Sequence, residues 1–342
     1  MGVDQAQLDY LCVDEFVADI AGARALASAL EFGIVDRLAA DGACAPADLA
    51  NHARLDERGA ALLLGMLRAG RVIEPAGAGV RLTAAFSSAL RFRELLEAKL
   101  DFAALVAPDF LESFSVLLAD PERFYATARL LELFSYRRCF ERTPENLAHT
   151  ARWMRFTTAL TRHEAPVCLS HHDFSGCRRM LDVGGNSGEF ALQACRRHAG
   201  LRATVLDLPL VCDLGRRHVG DGAEGKRIEF AETGEGAPFP PAHDLVTFKS
   251  MLHDWPDAEA WRFLARTHEA LAPGGTLLIF ERCRFDPGER TIPYGELPLA
   301  LFYRSYREPE AYAAPLAAAG FRDVRAQTVQ LDMPFMLVTA RK

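Results

Sequence analysis

Apolar residues recur along this chain with two different periods, and the change comes near residue 178. At the start the spacing is helical: Leu8, Leu11, Phe16, Ile20, Ala23, Leu26 and Leu30 fall three to five residues apart, and Phe32, Ile34, Val35 and Leu38 extend the run. Ala45–Ala50 and Asp56–Leu62 read as two short helices, each with Pro or acidic residues in its first turn. Val72-Ile73-Glu74, a turn over Pro75–Gly79, and Val80–Thr83 then read as a small hairpin. Helices followed by a hairpin predict a winged-helix unit. Residues 84–165 are helical in pattern, with breaks expected at Pro108 and Pro121. Beyond Arg178 the apolar residues form short runs instead: Met180–Val183, Ala203–Leu206, Asp244–Phe248 and Thr276–Phe280. Helical stretches at 191–199 and 258–271 and the stop Pro273-Gly274-Gly275 separate them, which predicts an α/β, doubly wound parallel sheet.

The stretch around which this second half is organised is Asp182-Val183-Gly184-Gly185-Asn186-Ser187-Gly188, a buried strand entering a helix through glycines. Bare backbone there lets a ligand approach the free N–H groups of the helix start. The next strand ends in Asp207, about 20 residues on, where a carboxylate is placed to accept from a ribose diol. His253 lies just beyond the end of a strand, on the edge where open α/β sheets carry their sites. The same histidine also reads as the cap of a surface helix opened by Pro256. Glu281 ends the following strand and reads either as a partner for His253 or as a solvated strand end.

Composition narrows the classes. The chain has 342 residues, half of them hydrophobic, ample for two cores. Its net charge of −7 argues against nucleic acid, and the second helix of the winged unit offers only Arg58 and Arg68 for a groove. No basic-then-apolar leader and no apolar run of about 18 residues is read, so neither export nor a membrane span is expected. Eight scattered cysteines fit a reducing compartment, and a cytoplasmic protein is expected. His253 and Asp254 offer two metal ligands, but no histidine follows His268 to complete a facial triad, so no metal is expected.

Four motifs together resemble the class I S-adenosylmethionine-dependent methyltransferases: Asp182-Val183-Gly184-Gly185-x-x-Gly188, Asp207-Leu208-Pro209, Lys249-x-x-x-His253-Asp254-Trp255-x-Asp257 and Leu271-x-Pro273-Gly274-Gly275. More narrowly they are similar to the small-molecule O-methyltransferases typified by plant caffeate and flavonoid and bacterial polyketide enzymes. The resemblance implies a Rossmann-like domain over 166–342, a winged-helix dimerisation domain over 1–90, and a helical connector over 91–165 that contributes to the substrate pocket. It implies a homodimer and S-adenosylmethionine as cofactor, with Gly184, Gly185 and Gly188 at the methionine portion and Asp207 and Leu208 at the ribose. Lys249 and Trp255 complete the implied cofactor set, and Glu232 or Glu235 stands where the family places an adenine-binding acid.

For the acceptor, the resemblance implies His253 as general base flanked by Glu281. Trp153, Phe156 and Leu160 share one helical face and are expected to line a flat apolar pocket, joined by Asp254 and Tyr306. Two positions depart from the family pattern. Its Phe-Asn-x-x-Met segment reads Phe156-Thr157-x-x-Leu160 here, and a second flanking Glu of the plant members falls on Tyr306. O-methylation of an aromatic or polyketide-like small molecule in secondary metabolism is therefore the leading expectation. N- or C-methylation on the same scaffold, or a non-catalytic cofactor-binding regulator, are the alternatives.

Overall fold

The computed structural model describes residues 3–234, 237–288 and 291–342. The chain divides into two compact units: Asp9–Leu130 with Pro287–Leu301, and Met1–Leu8 with Leu131–Asp286 and Phe302–Lys342. The stretch expected as a connector, 91–165, is thus shared between them.

The smaller unit is mainly helical. After a 3-10 segment, Gln5–Val17, whose first four residues belong to the larger unit, come α1 (Ile20–Glu31), α2 (Ile34–Asp41), α3 (Pro46–Ala53) and α4 (Glu57–Ala69). A hairpin of β1 (Ile73–Ala76) and β2 (Gly79–Leu82) follows, then α5 (Ala84–Ala89), α6 (Arg93–Ala119) and α7 (Pro121–Thr127). The N-caps are chemically apt: Asp19 accepts from Gly22 N, Asp56 from Gly59 N and Thr83 from Phe86 N. Of the apolar stripe Leu8, Leu11, Phe16 and Ile20, the first two residues are half-buried. Phe16 is buried edge-on against Phe86, with ring centroids 4.9 Å apart, and of the stripe only Ile20 is exposed.

Pro108 does not break α6, which runs through it. By length and composition Ala84–Ala119 could cross a membrane, with an 18-residue window of mean hydropathy 1.6 inside it, which corrects the expectation that no such stretch exists. Its polar positions are nevertheless engaged inside the unit. Buried Lys99 is paired with Asp14, and buried Asp109 accepts from Leu130 N at 3.0 Å. Those contacts are what a core helix requires.

The larger unit begins with α8 (Arg129–Leu133), whose first two residues belong to the smaller one, and with a short 3-10 helix, Tyr136–Phe140. Helix α9 (Pro144–His171) follows and continues through Pro166, so the boundary expected near residue 165 lies inside one helix. Then alternate β3 (Arg179–Val183), α10 (Glu189–Arg197), β4 (Arg202–Asp207), α11 (Pro209–Val219), β5 (Ile228–Glu232), β6 (His243–Lys249), α12 (Asp257–Ala270) and β7 (Leu271–Arg282). Two further strands, β8 (Arg322–Gln330) and β9 (Pro334–Arg341), complete a seven-stranded sheet of order β5-β4-β3-β6-β7-β9-β8. Strands β3 to β7 are parallel, and β9 pairs antiparallel with both β7 and β8. This is the Rossmann-like doubly wound arrangement, with one reversed strand that the sequence reading did not assign. Its neighbour β8 is polar because it is the exposed edge, and charges there block pairing with another chain.

Four charges, Lys249 half-buried and the other three buried, close the C-terminal edge of this sheet. Glu164 of α9 accepts from Lys249, at the end of β6, on one oxygen and from Arg282, at the end of β7, on the other at 2.6 Å. Arg282 also donates to Asp332, in the β8–β9 turn, at 3.0 Å. Burial opposes ionisation of Glu164, but Arg282 and Lys249 outweigh it and bring the carboxyl down to about 2. A carboxyl held low contributes stability above its unfolded value near 4.5 and loses it as pH falls toward the folded value. Glu164→Gln leaves buried Arg282 and half-buried Lys249 without their shared anion and is expected to destabilise the chain by about 3–5 kcal/mol at pH 7. In urea unfolding, the gap between variant and wild type should close as pH drops from about 4.5 to about 2.

Candidate active site

The ends of β3, β4, β6 and β7 carry the candidate residues, each delivered by a short turn. At β3 the chain turns through Gly184 at φ 66° and Gly188 at φ 76°. Gly188 is the N-cap of α10, so the helix starts at Glu189, two residues earlier than expected. A Cβ on Gly184 would lie 2.5 Å from Met251 Cγ, and one on Gly185 would lie 2.5 Å from Asp182 Oδ2. Only glycine permits this closely packed cradle.

Asp207, at the end of β4, is brought against that turn. Its two oxygens accept from Asn186 N at 2.8 Å and Leu208 N at 2.7 Å, leaving each with further acceptor capacity. Burial raises its carboxyl to about 6 against those two backbone donors. Asp182 is also buried. It takes Thr247 Oγ1 on Oδ1 at 2.6 Å, and its other oxygen has no hydrogen-bond partner among the described residues. Burial drives that carboxyl up to about 7.

Helix α9 is fastened to the glycine turn by residues the sequence reading treated otherwise. Asn186 Nδ2 donates to Thr157 Oγ1 at 3.0 Å, and Thr158 Oγ1 donates to Ser187 Oγ at 2.8 Å. Thr157, at the family's asparagine position, thus serves the glycine turn. On the same helix Trp153 and Leu160 are buried and Phe156 is half-buried.

Lys249 directs its ammonium to Glu164 and, at 2.9 Å, to Thr161 Oγ1. The chain then turns at Ser250, φ 51°, into one 3-10 turn, Leu252–Asp254. His253 sits in that turn between two carboxylates. Asp254 Oδ1 lies 3.4 Å from Nε2, and Glu281 Oε2 lies 3.7 Å from Nδ1, beyond hydrogen-bond range. Glu281 Oε1 instead accepts from Met251 N at 2.8 Å and Leu252 N at 2.5 Å, so this carboxylate holds the turn that carries the histidine. Burial works against the charged imidazole, but Asp254 and Glu281 outweigh it, and His253 is raised above its usual 6.5.

Aromatic rings enclose the histidine. Phe302 and Tyr306 lie 5.9 and 5.7 Å from it by ring centroid, and Tyr306 is fully buried. Phe134 touches both Phe302 and Trp153, and Tyr136 stands edge-on to Trp153 and stacked on Trp255. Trp255 also packs edge-on against Phe263 at 5.3 Å. Burial, then Asp254, raises the Tyr136 hydroxyl well above its usual value, and burial likewise raises Tyr306. Arg307, which the sequence reading left without a role, donates to Leu252 O at 2.8 Å, Trp255 O at 2.6 Å and Asp257 at 2.8 Å, clamping the turn from behind. Of the two acids considered for adenine, Glu232 is paired with Arg142 at 2.6 Å, and Glu235 lies outside the described residues.

Residues 117–322 match the model of the O-methyltransferase domain family. The chain is 36% identical over 167 residues to the 3-hydroxy-5-methyl-1-naphthoate 3-O-methyltransferase of Streptomyces sahachiroi, covering 47% of this chain and 48% of that protein. It is 34% identical over 169 residues to the acetylserotonin O-methyltransferase of Bos taurus, covering 48% and 49%. The match thus spans about half the length of these curated relatives. By fold it resembles an O-methyltransferase from neocarzinostatin biosynthesis, solved with S-adenosylmethionine and 2-hydroxy-5-methyl naphthoic acid, at a TM-score of 0.68 and 23% identity, covering 95% of this chain and 97% of that one. The strand-end glycines and acid lie within the matched segment, and the chain belongs to the O-methyltransferase family of S-adenosylmethionine-dependent enzymes.

Proposed function

We propose that this chain transfers the methyl group of S-adenosylmethionine to a hydroxyl of an aromatic or polyketide-like small molecule in secondary metabolism, with His253 as general base. The observation that carries this reading is the imidazole held between Asp254 and Glu281 at the strand ends that also bear the glycine turn and Asp207. The residues present fit the cofactor: the cradle is closed to any Cβ at Gly184 and Gly185, and both oxygens of Asp207 keep acceptor capacity for a ribose diol. Leu208, Lys249 and Trp255 border the same strand ends and would complete its site.

Bound there, the cofactor supplies a methyl group already activated by its positively charged sulfur. The chain's own task is to orient the acceptor and take its proton. A phenol is mostly protonated at neutral pH, so His253 is the group that removes the proton as the oxygen attacks. Glu281 favours the resulting imidazolium and holds its turn. Trp153, Phe156, Leu160 and Tyr306 would present the flat acceptor, with Asp254 the polar contact at its edge. The same reading takes the protein as a cytoplasmic homodimer that uses neither nucleic acid nor membrane. Ile20, Phe32, Leu62 and Leu111, exposed on the smaller unit, are apolar surface of the kind a partner copy covers.

Asp207→Ala should weaken S-adenosylmethionine by roughly 1.5–3 kcal/mol, about 10- to 150-fold in calorimetry. Because burial holds that carboxyl at about 6, wild-type affinity should also weaken as pH drops through that value. His253→Ala should lower turnover about 10²–10⁴-fold with cofactor affinity unchanged, and less for acceptors already ionised at neutral pH. Glu281→Gln should cost less, since the amide oxygen still receives Met251 and Leu252 N–H. Wild-type turnover on a phenol should rise with pH through a limb above 6.5, the direction in which His253 is shifted; near-normal turnover by His253→Ala on a weakly acidic phenol would refute the base assignment. Light scattering at micromolar concentration should give twice the chain mass, and a monomer there contradicts the dimer.

A further inference from the structure

One hydrogen bond in the aromatic enclosure has no part in the reaction as described. Tyr136 donates its hydroxyl to Asp254 Oδ2 at 2.7 Å, across 118 residues of sequence. Its ring is held independently, stacked on Trp255 at 6.4 Å and edge-on to Trp153 at 6.0 Å. A carboxylate is planar and rigid, so fixing one oxygen fixes the direction of the other. The other oxygen, Oδ1, is the one 3.4 Å from His253 Nε2.

We infer that Tyr136 is a positioning residue of the methyl transfer: its hydroxyl holds Asp254 so that Oδ1 stays against Nε2 of His253, orienting the imidazole from the segment that precedes α9. This inference rests on the reading of His253 as the base. The groups that face the ring are Asp254 on its own turn, Glu281 and Arg282 from β7, and Tyr306, with Phe302 as an apolar neighbour. Only Asp254 is tethered by Tyr136. A carboxylate beside Nε2 favours the imidazolium, and releasing it weakens that preference.

Tyr136→Phe keeps the ring between the two indoles and removes only the hydroxyl. Two readouts test it. In NMR titration of the histidine ring protons, with the His253 signal assigned by its loss in His253→Gln, the variant should titrate at lower pH, its proton affinity down about 2- to 10-fold for one lost hydrogen bond. With an accepted phenol, kcat should fall by a similar factor and its acid limb should move the same way, while acceptor KM and cofactor affinity stay within about twofold of wild type. A role confined to packing moves neither readout, because phenylalanine fills the same space. An unchanged His253 titration together with unchanged kcat overturns the inference. The titration needs no turnover, so a wild-type chain inactive on every phenol overturns the proposed function separately.

Discussion

Everything at the C-terminal edge of the sheet depends on the shared anion Glu164. It is buried, and so are Arg282 and the second carboxylate, Asp332, while the other cation it receives, Lys249, is half-buried. Two cations and two anions cancel, so the cluster carries no net charge into the interior. Each ion still loses several kcal/mol of hydration on burial, and mutual attraction at such separations roughly offsets that loss. The cluster is therefore better understood as a device of register than as a source of net stability. It joins α9, β6, β7 and the β8–β9 turn at one point.

That register matters because His253, the proposed base, is built beside it. Arg282 follows Glu281 directly, so the residue that holds the His253 turn and the residue that fills the charge cluster are neighbours on one strand. They bear on the imidazole with opposite sign. Arg282 lowers its proton affinity, while Asp254 and Glu281 raise it, and the carboxylates prevail over both burial and Arg282. Had the arginine been unpaired, its field would act in full and favour the neutral ring. Pairing it with Glu164 and Asp332 spends that field internally and leaves the two carboxylates to set the histidine.

The parts of this site that were legible in the sequence are those whose cause is local. Gly184 and Gly188 are needed by the turn itself, and Asp207 ends its strand two residues from the proline that starts α11. The apolar runs of β3, β4, β6 and β7 announce themselves because they are buried on both faces. Strand β8 did not, since an edge strand with charged residues on it has no such run. Pro108 was read as a break by a local rule that a long packed helix overrides. The long-range polar contacts left no trace at all. Nothing in the spacing of Tyr136 and Asp254, Thr157 and Asn186, or Glu164 and Lys249 marks them as partners. Lys249 shows the limit most clearly: its motif suggested a ligand, and the first groups it meets are Glu164 and Thr161.

Helix α9 is where these contacts converge. Near its middle, Thr157 and Thr158 hold the glycine turn. One turn earlier Trp153 meets the aromatic enclosure of His253, and two turns later Glu164 fixes the helix to the strand ends. The proposed methyl transfer requires the donor carbon, the attacking oxygen and the departing sulfur to fall in line, which is a constraint between two binding sites and not within either. A single helix that touches the cradle on one side and the enclosure on the other sets that distance directly. Its rigidity over 28 residues comes from backbone hydrogen bonding, and its placement comes from the buried anion. The alignment that the proposed chemistry needs would thus be imposed by an element outside the sheet, anchored at Glu164 away from the proposed base.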